Sequence, residues 1–501
     1  MVGMFKNFIK RIDLLMSREI SFINTEKITE IVSKLCKHAN LYVSQDVYTQ
    51  LYNAYLKESY IESKNVLWQI LENMKIASEI KRPICQDTGF VVVFAEIGQN
   101  VHLEGGDFED AINLGIEKAY TKNKFRYSIV QDPVFERTNT NTNAPAVIHT
   151  KIIPGNTVKI WLAIKGCGSE NVGVMQMLKP FAGAEEIINF AVESVKNSAR
   201  NTCPPVRLGI GIGGTIDYAT FLSKKALLQP VKAQEELELS DDKVSKMELE
   251  ILKRSNELKI GASGFGGDTT VFGVNILSYP THIAALPVAV NFSCHASRYA
   301  FAEVFEDEVK YKFQPDYEFK PTSNLEENLR KINVDDLEEI RALKAGDRIS
   351  ISGYIYTARD AAHQKMIEAI NNAQELPFDI KNKIIYYVGP YPPIENEIIG
   401  PAGPTTAARM DKYTPLLMDK GLFGSIGKGK RNDEVIEAIK RNKGVYFITT
   451  GGTACLLASK IKEANVIAYP EFGAEAVYKL RIENFPVTIA IDSKGNNIFN
   501  F

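Results

Sequence analysis

The sequence predicts a mixed α/β (α+β) chain of two domains, an expectation that rests on three observations. At 501 residues it is well past the size at which one hydrophobic core stops growing. Its first hundred residues pass from a helical to a strand-like periodicity. After about residue 340 the two kinds of run alternate, as they do in α/β domains.

Over residues 25–75 apolar side chains recur at three- and four-residue steps, first as Ile28, Ile31, Val32, Leu35 and Cys36, then as Val66, Leu67, Ile70 and Leu71. That spacing predicts helices with one buried face. From Arg82 onward Gly and Pro punctuate short β-rich runs, among them 90–97 and 158–164, with polar residues in the intervening loops. Residues 306–343 turn acidic, Lys-rich and poorly periodic. A linker is therefore expected at 306–335, with the boundary near residue 325, between an N-terminal domain 1–305 and a smaller C-terminal domain 336–501. In the latter, strand-like runs begin at Arg348, Lys383, Val445 and Asn465, and helical runs cover 360–372 and 433–442.

Composition excludes several functions. With 45% hydrophobic and 24% charged residues and a formal net charge of -2, the chain reads as a soluble globular protein without a field for nucleic acid or an anionic membrane. An anionic ligand must be met by local charge. No stretch approaches the ~18 apolar residues of a membrane span. The opening MVGMFKNFIKRIDLLM is basic and apolar but lacks a clean apolar segment with a cleavage site, so a cytoplasmic location is expected, with organellar targeting as the alternative. The six cysteines show no short paired spacing, which predicts reduced thiols rather than a disulfide framework.

Three cysteines lie in polar or Pro-flanked loops: Cys85 in Arg-Pro-Ile-Cys-Gln-Asp-Thr-Gly, Cys203 in Asn-Thr-Cys-Pro-Pro, and Cys294 in Asn-Phe-Ser-Cys-His-Ala-Ser-Arg. Loops of this kind suit metal-binding thiolates, although the separations match no short ligand motif and unrelated free thiols are the plainer reading. Cys36 reads as core filling. Cys167 and Cys455 stand in Gly-rich segments that also suit a ligand site.

Motifs dispersed over nearly the whole chain resolve this ambiguity. Arg-Pro-Ile-Cys85-Gln86-Asp87-Thr-Gly, Asn-Thr-Asn-Ala-Pro-Ala-Val-Ile-His149, Cys203-Pro-Pro with Gly-Ile-Gly-Gly-Thr215, and Pro-Thr-His282-Ile-Ala-Ala-Leu-Pro together resemble the α part of class I, iron–sulfur-dependent fumarases and tartrate dehydratases. Tyr-Thr-Ala-Arg359-Asp-Ala-Ala-His363, Gly-Pro-Ala-Gly-Pro-Thr405-Thr406-Ala-Ala-Arg409 and Ile-Gly-Lys428-Gly-Lys resemble the β part, here fused to the α part. The resemblance implies an N-terminal cluster-binding domain, a C-terminal swivelling-type domain and a homodimer that interconverts fumarate and malate. It implies a [4Fe–4S] cluster on Cys85, Cys203 and Cys294, whose open iron acts as a Lewis acid. It further implies substrate binding by Gln86, Arg126, Gly168, Arg359, Thr405, Thr406, Arg409 and Lys428. Arginine suits a dicarboxylate because its planar fork binds carboxylate bidentately, and lysine adds a point charge; a lone arginine is otherwise commonly a solvated surface group. Gly166 and Gly168 allow close backbone approach. Thr405 is implied as base, with Asp87 and His282 on the proton path of the departing hydroxyl, although a free Thr hydroxyl is a weak base that needs activation. His295, beside Cys294, is expected to support its neighbours or pack. The segment from Gly403 is expected to open a helix whose free N–H groups seat a carboxylate, or to be an ordinary Thr-capped start.

The nearest alternatives within that chemistry are L-tartrate and mesaconate. Gly209-Ile-Gly211-Ile-Gly213-Gly214 after a strand-like run raises a nicotinamide-dependent oxidoreductase, but Gln234-Glu-Glu-Leu-Glu reads as helix where an acidic strand end belongs. A non-catalytic iron–sulfur sensor would need the cysteines but not Asp87, His282, Thr405 and Arg409.

Overall fold

The computed structural model describes residues 20–312, 318–320, 322, 326 and 328–499. They form two compact units that interleave along the chain, and helices and sheets mix in both, as the periodicities predict. The opening residues 1–19, considered above for targeting, lie outside the described residues. No helix among those described is long and apolar enough to cross a membrane.

The first unit comprises residues 20–40, 88–166 and 298–312. Its five-stranded sheet runs in the order Val309–Lys312, Arg298–Val304, Val158–Lys165, Phe90–Gly98, Val147–Ile153. Only the last pair is parallel. The run Val91, Val92, Val93, Phe94 and Ala95 is buried throughout, as the unbroken apolar sequence of a strand covered on both faces requires. The helices Thr25–Leu41 and Phe108–Lys122 meet where Thr29 Oγ1 donates to Ala111 O over 3.0 Å. A Cβ on Gly115 would stand 2.6 Å from Thr29 O, so glycine sets their approach.

The second unit comprises residues 41–87, 167–297 and 318–499. Helices Gln45–Lys57 and Ile61–Ile80 open it. A four-stranded sheet follows in the order Val174–Leu178, Leu286–Cys294, Val206–Gly213, Val271–Tyr279. Gly209 and Gly211 lie on Val206–Gly213, and a Cβ on either would collide with carbonyls of the helix Ile216–Ala226. These glycines let helix and strand backbones touch, which accounts for the Gly-rich run without a dinucleotide.

The seven-stranded sheet of this unit runs Arg330–Asn333, Arg348–Thr357, Ile384–Tyr386, Gly424–Gly427, Val445–Ile448, Val477–Ile491, Ile461–Ala468. Ile349, Ile351, Phe447 and Leu480 belong to one buried cluster. Ile385, Met410, Leu417 and Val435 belong to another. Truncating a residue such as Ile351, fully buried, costs about 2–5 kcal/mol.

The helix Asp433–Asn442 has the predicted bounds, and the run predicted at 360–372 forms the helix Asp360–Asn371. Two differences stand out. The strands Val309–Lys312 and Arg330–Asn333 fall inside 306–335, since β-bridges form there despite the polar composition. The segment after Gly403 does not open an α-helix but makes one 3-10 turn, Ala407–Met410. Thr405 and Thr406 are instead held extended, by Thr405 N donating to Tyr387 O over 2.7 Å and by the bridge from Thr406 to Lys428, so no helix N-terminus is available to an anion there.

Candidate active site

The site is organised by one lysine. Lys428 follows the strand Gly424–Gly427, and its Nζ donates to Cys203 Sγ over 2.8 Å. Burial works to lower its pKa, but the thiols of Cys203, Cys85 and Cys294 outweigh burial and hold the ammonium above the ordinary lysine range. The lysine thus feels the charge of all three predicted cysteines and hydrogen-bonds Cys203.

Each cysteine arrives on a different element. Cys85, 7% exposed, sits on the loop after Ile61–Ile80, where its carbonyl accepts from Tyr391 Oη over 3.1 Å. Cys294 ends the strand Leu286–Cys294 opposite Val206. Cys203 precedes that same strand partner at φ +58°, a left-handed conformation uncommon for a side chain with a Cβ. Its carbonyl is 3.1 Å from Nδ1 of buried His295. A Cβ on Gly451 would stand 2.6 Å from Cys203 Sγ, so glycine keeps that space open.

Among the described residues no three His, Cys, Asp or Glu side chains converge tightly enough for a single metal ion. An iron–sulfur cube is larger than an ion and holds its thiolates farther apart. Three thiols outside any disulfide, one of them paired with Lys428 and bordered by Gly451, form a donor set that could hold such a cluster. The other cysteines are placed differently. Cys36 is buried in the core, Cys167 is exposed, and the Cys455 thiol, pushed up by burial, donates to Pro83 O over 3.2 Å.

A cavity of about 100 Å³ is lined by Cys203, Lys428, Thr406, Gly451, Arg200 and Ser263, among others. Lys428 N donates to Thr405 O over 3.2 Å, and the Thr405 hydroxyl makes no side-chain hydrogen bond among the described residues. Gln86 Nε2 donates to Pro404 O over 3.1 Å. A Cβ on Gly168 would lie 4.0 Å from Lys428 Nζ. Asp87 Oδ2 accepts from Cys167 N over 3.0 Å.

Arg359 and Arg409 are gathered by a carboxylate that sequence reasoning passed over. Asp360 Oδ2 lies 3.8 Å from Arg359 Nη2 and 3.5 Å from Arg409 Nη2, and Glu475 Oε1 is 3.2 Å from Arg359 Nη2. The signal for Asp360 was its adjacency to Arg359; Glu475 carried none. Asn73 was missed too. Buried on Ile61–Ile80, it donates to Ile84 O and Gly452 O over 2.8 and 3.2 Å and accepts from the Cys455 and Leu456 amides over 2.9 and 3.1 Å. It ties the Cys85 loop to the Gly451 loop.

The lining of the Lys428 cavity includes neither Arg359 nor Arg409, and His282 and Arg126 belong neither to it nor to the Asp360 pair. His282 is exposed, with Nδ1 accepting from Ala284 N over 3.1 Å, and among the described residues it shares no hydrogen bond with the others. Arg126 is half-buried in the first unit, its carbonyl accepting from Thr88 Oγ1.

A chain with three such cysteines, a lysine paired with one of them and two arginines joined by one carboxylate matches two sequence profiles of one family: that of Fumarate hydratase (Fumerase) over residues 29–303 and that of the Fumarase C-terminus over 302–501. The chain belongs to the fumarate hydratase family, a family of hydro-lyases. It is 33% identical to the anaerobic class I fumarate hydratase of Escherichia coli K12, over 87% of this chain and 82% of that protein. It is 31% identical to fumarate hydratase 2 of Leishmania major, over 86% and 79%. The putative L(+)-tartrate dehydratase subunit alpha of Methanocaldococcus jannaschii is 39% identical over 56% of this chain and 98% of that subunit.

Proposed function

We propose that this chain catalyses the reversible hydration of fumarate to (S)-malate at the site around Lys428. The observation that carries the reading is the Lys428 ammonium paired with Cys203 on the wall of a cavity that Thr406 also lines. We assign Cys85, Cys203 and Cys294 as ligands of a [4Fe–4S] cluster, which when bound supplies a Lewis-acidic iron that makes hydroxide a tolerable leaving group.

Lys428 keeps a fixed positive charge at the cavity wall, where low dielectric makes it most effective toward a carboxylate. Arg359 and Arg409 offer planar donors, and a dicarboxylate would take them over from Asp360. Gln86 and Thr406 add hydrogen bonds, and Gly168 leaves room for the ligand. Thr405 is assigned the proton on carbon; its hydroxyl is unspent among the described residues, its carbonyl accepts from the Lys428 amide, and as a weak base it would need a nearby cation or general base to activate it. Asp87 is assigned to the proton of the departing hydroxyl. The parts of His282 in that proton path and of Arg126 in carboxylate binding rest on the resemblance. Homodimerisation, a cytoplasmic location and the division into 1–305, 306–335 and 336–501 belong to the same proposal.

The test is anaerobic. Protein reconstituted with iron and sulfide is followed by fumarate absorbance, with malate, L-tartrate and mesaconate in parallel. Cluster-dependent conversion of malate that vanishes in Cys85→Ala supports the reading. Faster turnover of tartrate or mesaconate would reassign the substrate, and a well-formed cluster inert toward all three acids would overturn it.

A further inference from the structure

A second cavity of the same unit, about 220 Å³, shares Phe265, Ile448 and Thr449 with the wall of the first but does not include Lys428 or any cysteine. The helix Ile61–Ile80 presents Glu62, Val66 and Gln69 to it at helical spacing. Arg348, the first residue of the strand Arg348–Thr357, lines it beside its cross-strand partner Thr488.

The polar groups of this wall divide into spent and unspent. Gln69 Nε2 donates to Glu326 Oε1 over 2.8 Å, and its carbonyl accepts from Thr450. Thr449 Oγ1 donates to Pro486 O over 3.0 Å. The two charged groups on the wall are Glu62 and Arg348, both half-buried. Among the described residues neither side chain makes a hydrogen bond or an ion pair, and the two stand too far apart to pair with each other. Burial works against the Arg348 charge, with Glu326 and Glu62 offsetting it in part at longer range. Glu326 is itself engaged with Lys460 over 3.5 Å.

A cation whose charge burial opposes and a carboxylate, each with hydrogen-bonding capacity that the protein leaves to solvent, can both be met by one ligand. A plain carboxylate would satisfy Arg348 but face Glu62, and a plain amine would do the reverse. A zwitterion carrying both charges on one carbon answers the pair, and Val66, Phe265, Ile448 and Val487 leave an apolar lobe for its side chain. We propose that this cavity is a second binding site, for an aliphatic α-amino acid whose carboxylate meets Arg348 and whose ammonium meets Glu62. The site stands on its own geometry, whichever acid the catalytic cavity turns over.

The experiment is calorimetric titration of the reconstituted enzyme with L-valine, in an equilibrated malate–fumarate mixture that keeps the catalytic cavity occupied. Isovalerate lacks the ammonium and isobutylamine lacks the carboxylate. Valine is expected to bind saturably at one site per chain, with each control weaker by about tenfold or more. Arg348→Gln and Glu62→Gln are each expected to weaken valine by a similar factor while malate turnover persists; the second variant decides the matter if the first does not fold. No saturable binding up to the solubility of valine, equal binding of isovalerate, binding indifferent to both substitutions, or displacement of valine by malate would each overturn the proposal.

Discussion

Lys428 Nζ donates to Cys203 Sγ over 2.8 Å although 225 residues separate the two in the chain. The same ammonium is stabilised by Cys85 and Cys294, so a substitution there separates cation from thiols. Lys428→Met leaves all three cysteines in place. The reconstituted variant is expected to keep its cluster absorbance while kcat/KM falls by about 10²–10³-fold, the usual cost of removing one preorganised donor. A variant that fails to assemble the cluster would show instead that the lysine serves assembly.

Gly451→Ala tests the space around Cys203. The added methyl would come within 2.6 Å of the sulfur, an overpacking that costs about 1–3 kcal/mol. Iron bound per chain at limiting iron is expected to fall, with cluster affinity weakened about tenfold, while circular dichroism is unchanged. Full loading would mean the loop yields freely.

The arginine pair should be intolerant of lysine. Arg409 is 47% exposed on its side chain, and Arg359, at 12%, is also held by Glu475. Arg409→Lys and Arg359→Lys each keep the charge and lose the planar fork. KM for the dicarboxylate is expected to rise about tenfold or more in each, with the larger effect at Arg359. Unchanged kinetics in both would remove them from carboxylate binding.

Asn73 links two loops through four hydrogen bonds. Asn73→Ala leaves the buried Cys455 and Leu456 amides without their acceptor, an expected loss of about 1–3 kcal/mol. Asn73→Asp keeps the acceptor and loses the donors to Ile84 and Gly452. Asp also sets a buried charge against those two carbonyls, so both variants are expected to lower the thermal midpoint, and an unchanged midpoint in Ala would remove Asn73 from the link between the loops.

Two buried histidines set an acid limit. Burial pushes His38 and His363 down to about 4, below the unfolded value of about 6.5. The unfolded chain therefore binds more protons between those values, and stability is lost as pH falls from 6.5 toward 4. Between pH 7 and 5 each contributes a loss on the order of 2 kcal/mol. His363→Phe, which also gives up the 2.8 Å contact with Arg359 O, is expected to be less stable at pH 7 and to show a flatter decline, read from thermal midpoints across that range.

How much of this was legible follows from what each residue depends on. Ile28, Ile31, Val32, Leu35 and Cys36 announced a helix because burial on one face imposes a period, and all five are buried. The run at Phe90 announced a strand for the same local reason. The turn after Gly403 misled because Thr-Thr-Ala-Ala reads as a helix start, while the pairing that holds it extended comes from Tyr387 and Lys428. Motif order pointed to Cys85, Cys203, Cys294 and Lys428. Asp360, Glu475, Asn73 and Gly451 matter through partners distant in sequence or through an absent side chain, and no local pattern encodes either.

The distance along the chain between Cys203 and the residues that cover it also sets a schedule. All three loop cysteines are synthesised before Lys428 and Gly451 exist. At about 5–20 residues per second, some 225 residues take on the order of 10–45 s to emerge. Throughout that interval the nascent chain holds a Cys203 thiol whose amine partner has not yet been made, so the pairing of Cys203 with Lys428 belongs to the last part of synthesis.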